Sequence, residues 1–268
     1  MRLVAIVKPP ARADEAARTL ADASGLTLAE ARMRLAPEPP ALLARLPAEA
    51  ARAMVASLRT AGLAVVTVPV DVSTDADRTP AQRFSLDSAG PTFTPRSGTP
   101  VQAPWAELLA VLRGLRSSRT EVERTEKTKG FSASRALLSG GLVMTRSSIK
   151  TVRSADEQME GVILVLLRDG RAVTLAERAL DFTCLGPGMQ PSSTGNMVEL
   201  ARRLREQAPG AFHDDRLVRL GRRPLPFLAG GDPRSVSGTT IKTHSSTAEA
   251  LDVLVEVMRQ ALTEGLLR

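Results

Sequence analysis

Apolar and polar positions recur in two different rhythms along this chain, and the changes of rhythm divide it. Leu3 to Val7 is a short apolar run closed by Pro9-Pro10, as a buried strand is. Ala11 to Ala23 then takes helical, Ala-rich spacing and stops at Gly25. A second helix opens at Thr27, three residues before Glu30 in the pattern of a capping box, and runs to Leu35 before Pro37, Pro39 and Pro40. Pro47 suits a first helical position, and Leu46, Ala50, Ala53, Met54 and Leu58 carry a third helix to Ala61. Gly62 ends it, and Leu63 to Val70 returns as a strand. Residues 1–70 therefore read as a small strand-helix-helix-helix-strand domain.

Residues 71–82 are polar, contain proline and lack apolar periodicity, so they read as a linker. A second, mainly β unit is expected over 83–222. Phe84 to Leu86, Thr92 to Thr94 and Val101 to Ala103 are strand-like runs between turn residues, followed by Pro104-Trp105 and apolar Leu108 to Leu112. Gly161 to Leu167 and Ala172 to Leu175 flank Arg168-Asp169-Gly170-Arg171 as two arms of a hairpin. A helix opening at Ser193 or Thr194 runs through Gln207, with Met197, Val198, Leu200, Ala201 and Leu204 inward. Residues 223–245, rich in Gly, Pro, Ser and Thr, read as an irregular connection. Ser246 with Glu249 then forms a capping box for an amphipathic C-terminal helix within 246–268. Its stripe Leu251, Leu254, Val255, Met258 and Leu262 must be covered, either inside the chain or as the face of a homo-oligomer or partner. The fold class is α+β.

Ser24-Gly25-Leu26-Thr27-Leu28-Ala29-Glu30-Ala31-Arg32, the proline-containing link, Ala48-Glu49-Ala50-Ala51 through Leu58, and Ala61-Gly62-Leu63-Ala64-Val65 together resemble the C-terminal domain of the bacterial ribosomal stalk protein. The resemblance covers about a quarter of the chain, and it implies a fold that recruits translation factors. Where that family meets factors through lysines, this chain carries Ala29 and Arg32, which implies a kept fold with a changed partner. In the second unit, the order of strands closed by one helix, with Pro104-Trp105 before a strand, resembles a bacterial pleckstrin-homology-like domain.

Composition narrows the function. With 268 residues and 43% hydrophobic content the chain can bury a core, but aromatic residues are only 3%, so Ala, Leu and Val must build it and stacking platforms for single-stranded nucleic acid are scarce. The longest apolar stretches, Val162 to Leu167 and Leu63 to Val70, are too short to cross a bilayer, and no signal-peptide pattern opens the chain. A single cysteine, Cys184, fits a reducing, cytoplasmic compartment, and Arg supplies 31 of 36 basic residues, a bias typical of GC-rich bacterial genes. From Arg113 to Arg153 stand ten basic residues (Arg113, Arg116, Arg119, Arg124, Lys127, Lys129, Arg135, Arg146, Lys150 and Arg153) against Glu121, Glu123 and Glu126, an excess equal to the net charge of +7 of the whole chain. Two readings of this segment stand: solvated strands or loops around a Leu-rich centre that joins the core, or a contact surface. As a surface it suits a protein partner better than an anionic membrane or nucleic acid, because the interleaved glutamates oppose phosphate.

Candidate chemistry is sparse. His213 stands beside Asp214-Asp215, but a solvated loop histidine fits that setting, and His244 has no cysteine or carboxylate near it in sequence. Cys184 reads as a small buried hydrophobe at a strand end, Gly140-Gly141 and Gly230-Gly231 lack the Lys-Ser/Thr of a phosphate loop, and nothing marks Glu177 and Asp181 as a catalytic pair. The expectation is a non-enzymatic, cofactor-free bacterial adaptor that recognises another protein, with anionic-surface binding and ribosome association as alternatives.

Overall fold

In a computed structural model the described residues are 1–72, 74–131, 145–220, 225–228, 234–237 and 240–268. They form an α+β protein of two compact units: unit 1 holds 1–117, 159–229 and 247–268, and unit 2 holds 118–158 and 230–246.

Unit 1 begins with β1 (Arg2–Ile6), α1 (Ala13–Ser24), α2 (Leu28–Leu35), β2 (Ala41–Leu46), α3 (Ala48–Thr60) and β3 (Val65–Pro69). The strands make an antiparallel sheet in the order β2-β1-β3, with Val4 opposite both Ala44 and Thr67. Gly25, at φ +67°, supplies the left-handed residue that ends α1. The expected capping box forms: Thr27 N donates to Glu30 Oε2 at 2.8 Å while Glu30 N donates to Thr27 Oγ1 at 3.3 Å. Strand β2 corrects the expected element order, since the segment before Pro47 read only as a proline-containing link. Ala41-Leu42-Leu43-Ala44-Arg45-Leu46 has no β-branched residue to announce a strand, and pairing with β1 decides its conformation. One sheet face, with Val4, Ile6, Leu43 and Val65, meets Ala17, Leu20, Met54 and Leu58 of the helices. The opposite face presents Leu3, Ala5, Leu42, Val66 and Val68.

The chain continues through β4 (Thr79–Asp87), β5 (Gly90–Pro95), β6 (Val101–Gln102), β7 (Leu108–Phe131), β8 (Thr145–Leu167), β9 (Ala172–Ala176), α4 (Ser193–Gln207), β10 (Phe212–Asp214), α5 (Leu217–Leu220), β11 (Arg234–Ser237), β12 (Thr240–Ser246) and α6 (Ala248–Thr263). Within unit 1 the strand order is β7-β8-β9-β4-β5-β6, and β10 adds to β7 in parallel. The segment expected as a linker is instead a 3-10 turn, Asp75–Asp77, followed by the start of β4, whose Thr79 to Ala81 pair in parallel with Val173 to Leu175. Asp75 and Arg78 in it are engaged in ion pairs, whereas Asp71, Thr74, Asp77 and Gln82 are exposed. Helix α4 lays Met197, Leu200 and Leu204 on Phe84, Phe93, Ile163, Val165 and Val173. Its cap is Ser192, which accepts from Gly195 N, and Val198, expected inward, is 47% exposed.

Helix α6 is apolar on more than the expected stripe. Leu251, Leu254, Val255 and Met258 pack with Ala110, Leu112, Val162, Leu164 and Leu166, whereas Val253, Val257 and Ala261 fill the second face of the first sheet. The helix therefore lies between two sheets, and the stripe that needed cover finds it within the chain. Gly114 admits the helix: a Cβ there would stand 2.9 Å from Leu251 Cδ1. The expected Ser246–Glu249 cap does not form, because Ser246 ends β12 and the N-cap is Thr247, whose hydroxyl accepts from Ser117 N at 2.9 Å.

Unit 2 is built from the later part of β7, the earlier part of β8, β12 and β11. Strand β12 runs antiparallel to β7 from Thr240 opposite Arg124 to Ser246 opposite Ser118, and β11 pairs with β12. Much of the expected irregular connection is thus sheet, specified by Thr and Ile at β-prone positions. Ser118 to Thr120, Val122, Glu123, Thr151, Ser154 to Gln158 and Ser246 of unit 2 are exposed or half-buried.

Candidate functional site

Strands β7 and β8 leave the apolar core of unit 1 at Leu112 and Val162, and the residues just beyond carry charge. Arg116 of β7 donates through Nη1 to Asp75 at 2.6 Å and through Nε to Glu160 of β8 at 2.8 Å. Asp75, on the 3-10 turn, also accepts from the Thr174 hydroxyl of β9 at 2.7 Å. Close by, Arg78, 7% exposed, donates to Asp252 of α6 at 2.5 Å and lies 3.9 Å from Asp75. The cluster fastens the turn, three strands and the last helix together.

Its electrostatics follow from burial and pairing. Burial pushes the Asp75 carboxyl up, but the Thr174 and Arg116 hydrogen bonds and the charges of Arg116 and Arg78 outweigh it and hold the group below the usual aspartate value. For Asp252 burial wins: the carboxyl stands above the usual value despite Arg78, and the charge of Asp75 adds to the rise. Arg116 loses to burial less than it gains from Asp75 and Glu160, and it holds its proton more tightly than a free arginine. This arrangement neutralises charge and positions strands.

The ten basic residues of the expected surface fall into groups. Arg116 is engaged by Asp75 and Glu160 in the cluster, and Arg113 is half-buried. Arg119, Arg124, Lys127 and Lys129 lie on β7 and Arg146, Lys150 and Arg153 on β8, all in unit 2; Arg135 and the Leu-rich centre lie outside the described residues. By sequence, unit 2 holds ten Lys and Arg against six Asp and Glu, a net +4 of the chain's +7, because Asp156, Glu157 and Asp232 belong to it. The basic excess is less concentrated than the count over 113–153 implied. Sequence reasoning missed that Lys242 and His244 stand in register opposite Val122 and Thr120; the β-branched run Thr240-Ile241-Lys242-Thr243 was the available signal.

The chain matches no family model, no curated protein and no solved structure. Its site must therefore be read from its own side chains. His213 is not a solvated loop residue: it lies on β10, half-buried, with Nε2 2.8 Å from the Ala208 carbonyl oxygen, and burial pushes it below the usual histidine value despite that hydrogen bond. Its neighbour Asp214 is engaged by Arg216 at 2.7 Å. Cys184 sits in a 3-10 segment, Phe182–Gly188, rather than at a strand end, and is half-buried against the core. Glu177 accepts from Gly161 N and the Ser193 and Thr194 hydroxyls, and Asp181 from Thr183, which are local structural duties. Among the described residues no group of three His, Cys, Asp or Glu is arranged to hold a metal, and no helix is long and apolar enough to cross a membrane.

Proposed function

We propose that this chain is a non-enzymatic, cytoplasmic bacterial adaptor that recognises a protein through the charge-rich β7 strand of unit 2. The observation that carries the reading is the contrast along β7: residues 108–112 build the core of unit 1, whereas beyond Ser117 the sequence is mostly charged and hydroxyl residues, and Ser118, Arg119, Thr120, Val122 and Glu123 lie outside the core. A strand of this composition contributes little to a core, and cations interleaved with Glu121, Glu123 and Glu126 suit a patterned protein surface better than uniform phosphate. Two resemblances support the adaptor reading at the level of fold. The segment that carries the stalk resemblance holds a formed Thr27–Glu30 capping box, although β2 adds a strand to the expected order, and α4 packs on the second sheet as a closing helix of a pleckstrin-homology-like domain would.

The test is affinity capture from a bacterial lysate by the intact chain and by an Arg119→Glu, Arg124→Glu, Lys127→Glu variant, with Arg116 left in place because it holds unit 1 together. A discrete protein retained by the wild type and lost with the variant supports the reading; equal retention overturns the placement. Binding to anionic vesicles or DNA that collapses with added salt, with no discrete protein captured, points instead to the anionic-surface alternative. Co-sedimentation with ribosomes tests the stalk-derived alternative.

A further inference from the structure

Strand β8 has two different outer edges. From Val162 to Leu166 it pairs with β9, but β9 spans only Ala172–Ala176 and pairs no further. In unit 2 the β8 segment from Thr145 to Glu157 neighbours β7 on one side, and among the described residues no strand pairs with its other side. Alternate backbone N–H and C=O groups of an antiparallel strand point to that outer side, which makes it a template for another strand. Described side chains from Ser154 to Glu157 are exposed irrespective of their parity along the strand, so neither face is covered there.

The charge order along this edge is asymmetric. Arg146, Lys150 and Arg153 come first, and Asp156 and Glu157 follow. A uniformly acidic strand would meet repulsion at one end and a basic strand at the other, whereas a reversed copy of the same strand meets the opposite sign at both. Two identical strands related by a twofold axis normal to the sheet keep each residue on its own face, so only registers centred on a single residue are allowed. Centring on Thr151 places Arg146 opposite Asp156 at both ends, Lys150 opposite Val152 and Ile149 opposite Arg153, with no like charges directly opposed. Centring on Lys150 or Arg153 sets that cation against itself, and centring on residue 152 forms no opposite-charge pair. Centring on Ala155 pairs Arg153 with Glu157 but overlaps only residues 153–157 of the free edge, whereas centring on Thr151 uses all of 145–157.

We propose that a second copy of this chain adds to the outer edge of β8, the two β8 strands pairing antiparallel about Thr151. The dimer joins two four-stranded sheets through backbone hydrogen bonds, and the Arg146–Asp156 pairs select the register. It does not rest on partner recognition by β7, and its readout needs no partner.

Sedimentation equilibrium of the purified full chain over a concentration series tests it. The wild type is expected to associate as a dimer. Arg146→Asp or Asp156→Arg alone should weaken association about three- to tenfold, and the double exchange should restore it, since both residues are then reversed together. Circular dichroism and the unfolding midpoint of each variant separate weakened pairing from misfolding. A monomer at every concentration overturns the proposal, including one that captures a foreign strand. So does a dimer that neither reversal alters, or single losses that the double exchange fails to restore.

Discussion

Arg78 and Asp252 show how a few residues can set conditions for everything around them. A guanidinium that is 7% exposed is tolerable because a carboxylate stands 2.5 Å away, and the converse holds for Asp252. Asp252→Ala removes that partner and is expected to destabilise the protein by about 3–5 kcal/mol in urea unfolding. An Arg78→Met, Asp252→Leu double variant, with no buried charge at the pair, should recover most of that loss. The two aspartates of the cluster also act with opposite signs on pH. Asp75 stands below its ordinary 3.8, so its contribution is present above that pH and is lost as pH falls through the folded value. Asp252 stands above 3.8, so its contribution is complete below that pH and declines as pH rises through the folded value. Urea midpoints measured from about pH 2.5 to 6.5 should show a shallower acid limb for Asp75→Asn than for the wild type, and a shallower opposing slope for Asp252→Asn.

At the level of elements, α6 bears most on the fold. A helix that is apolar on one stripe lies on a surface, whereas α6 is buried from Ala250 through Met258 because two sheets take its two sides. Its seat on β7 depends on the missing side chain of Gly114. Gly114→Val is expected to cost about 1–3 kcal/mol by overpacking against Leu251 and Val162, read as a lowered urea midpoint with an unchanged slope. A glycine in a strand otherwise reads as a weak position, and only the helix above it gives this one a purpose. Strand β2 teaches the complementary lesson: Ala and Leu carry no strand preference, so the element appears once β1 offers its edge.

Across the whole molecule, apolar burial is unevenly shared. Four hydrophobic clusters lie in unit 1, while Ser118 to Thr120, Val122, Glu123 and Ser154 to Gln158 of unit 2 stay outside any core. Local opening free energy follows burial, so amides of β7 at 118–123 and of β8 at 154–158 are expected to exchange with deuterium faster than those at 108–112 and 162–167 of the same strands. Equal protection along each strand would show that unit 2 is stabilised by something beyond its own side chains. Addition of a second chain along β8 predicts a particular form of this: protection of 145–157 that rises with protein concentration.

The sequence by itself determined the local elements whose signals are local. Gly25 and the Thr27–Glu30 box bound α1 and α2, Pro47 and Gly62 bracket α3, and Arg168-Asp169-Gly170-Arg171 turns β8 into β9, because caps and turns are decided by residues a few positions apart. The presence of a basic segment was also legible, since it is a matter of composition. Only the tertiary structure decided what those charges do. Arg116 sits in the same run as Arg119 and Lys127, yet Asp75 and Glu160, distant in sequence, claim it for the core of unit 1. Likewise a polar segment that read as a linker became an ion-paired turn, and a stripe in search of cover became a helix between two sheets. In each case the deciding partner lies far along the chain, and periodicity records only what neighbouring residues do.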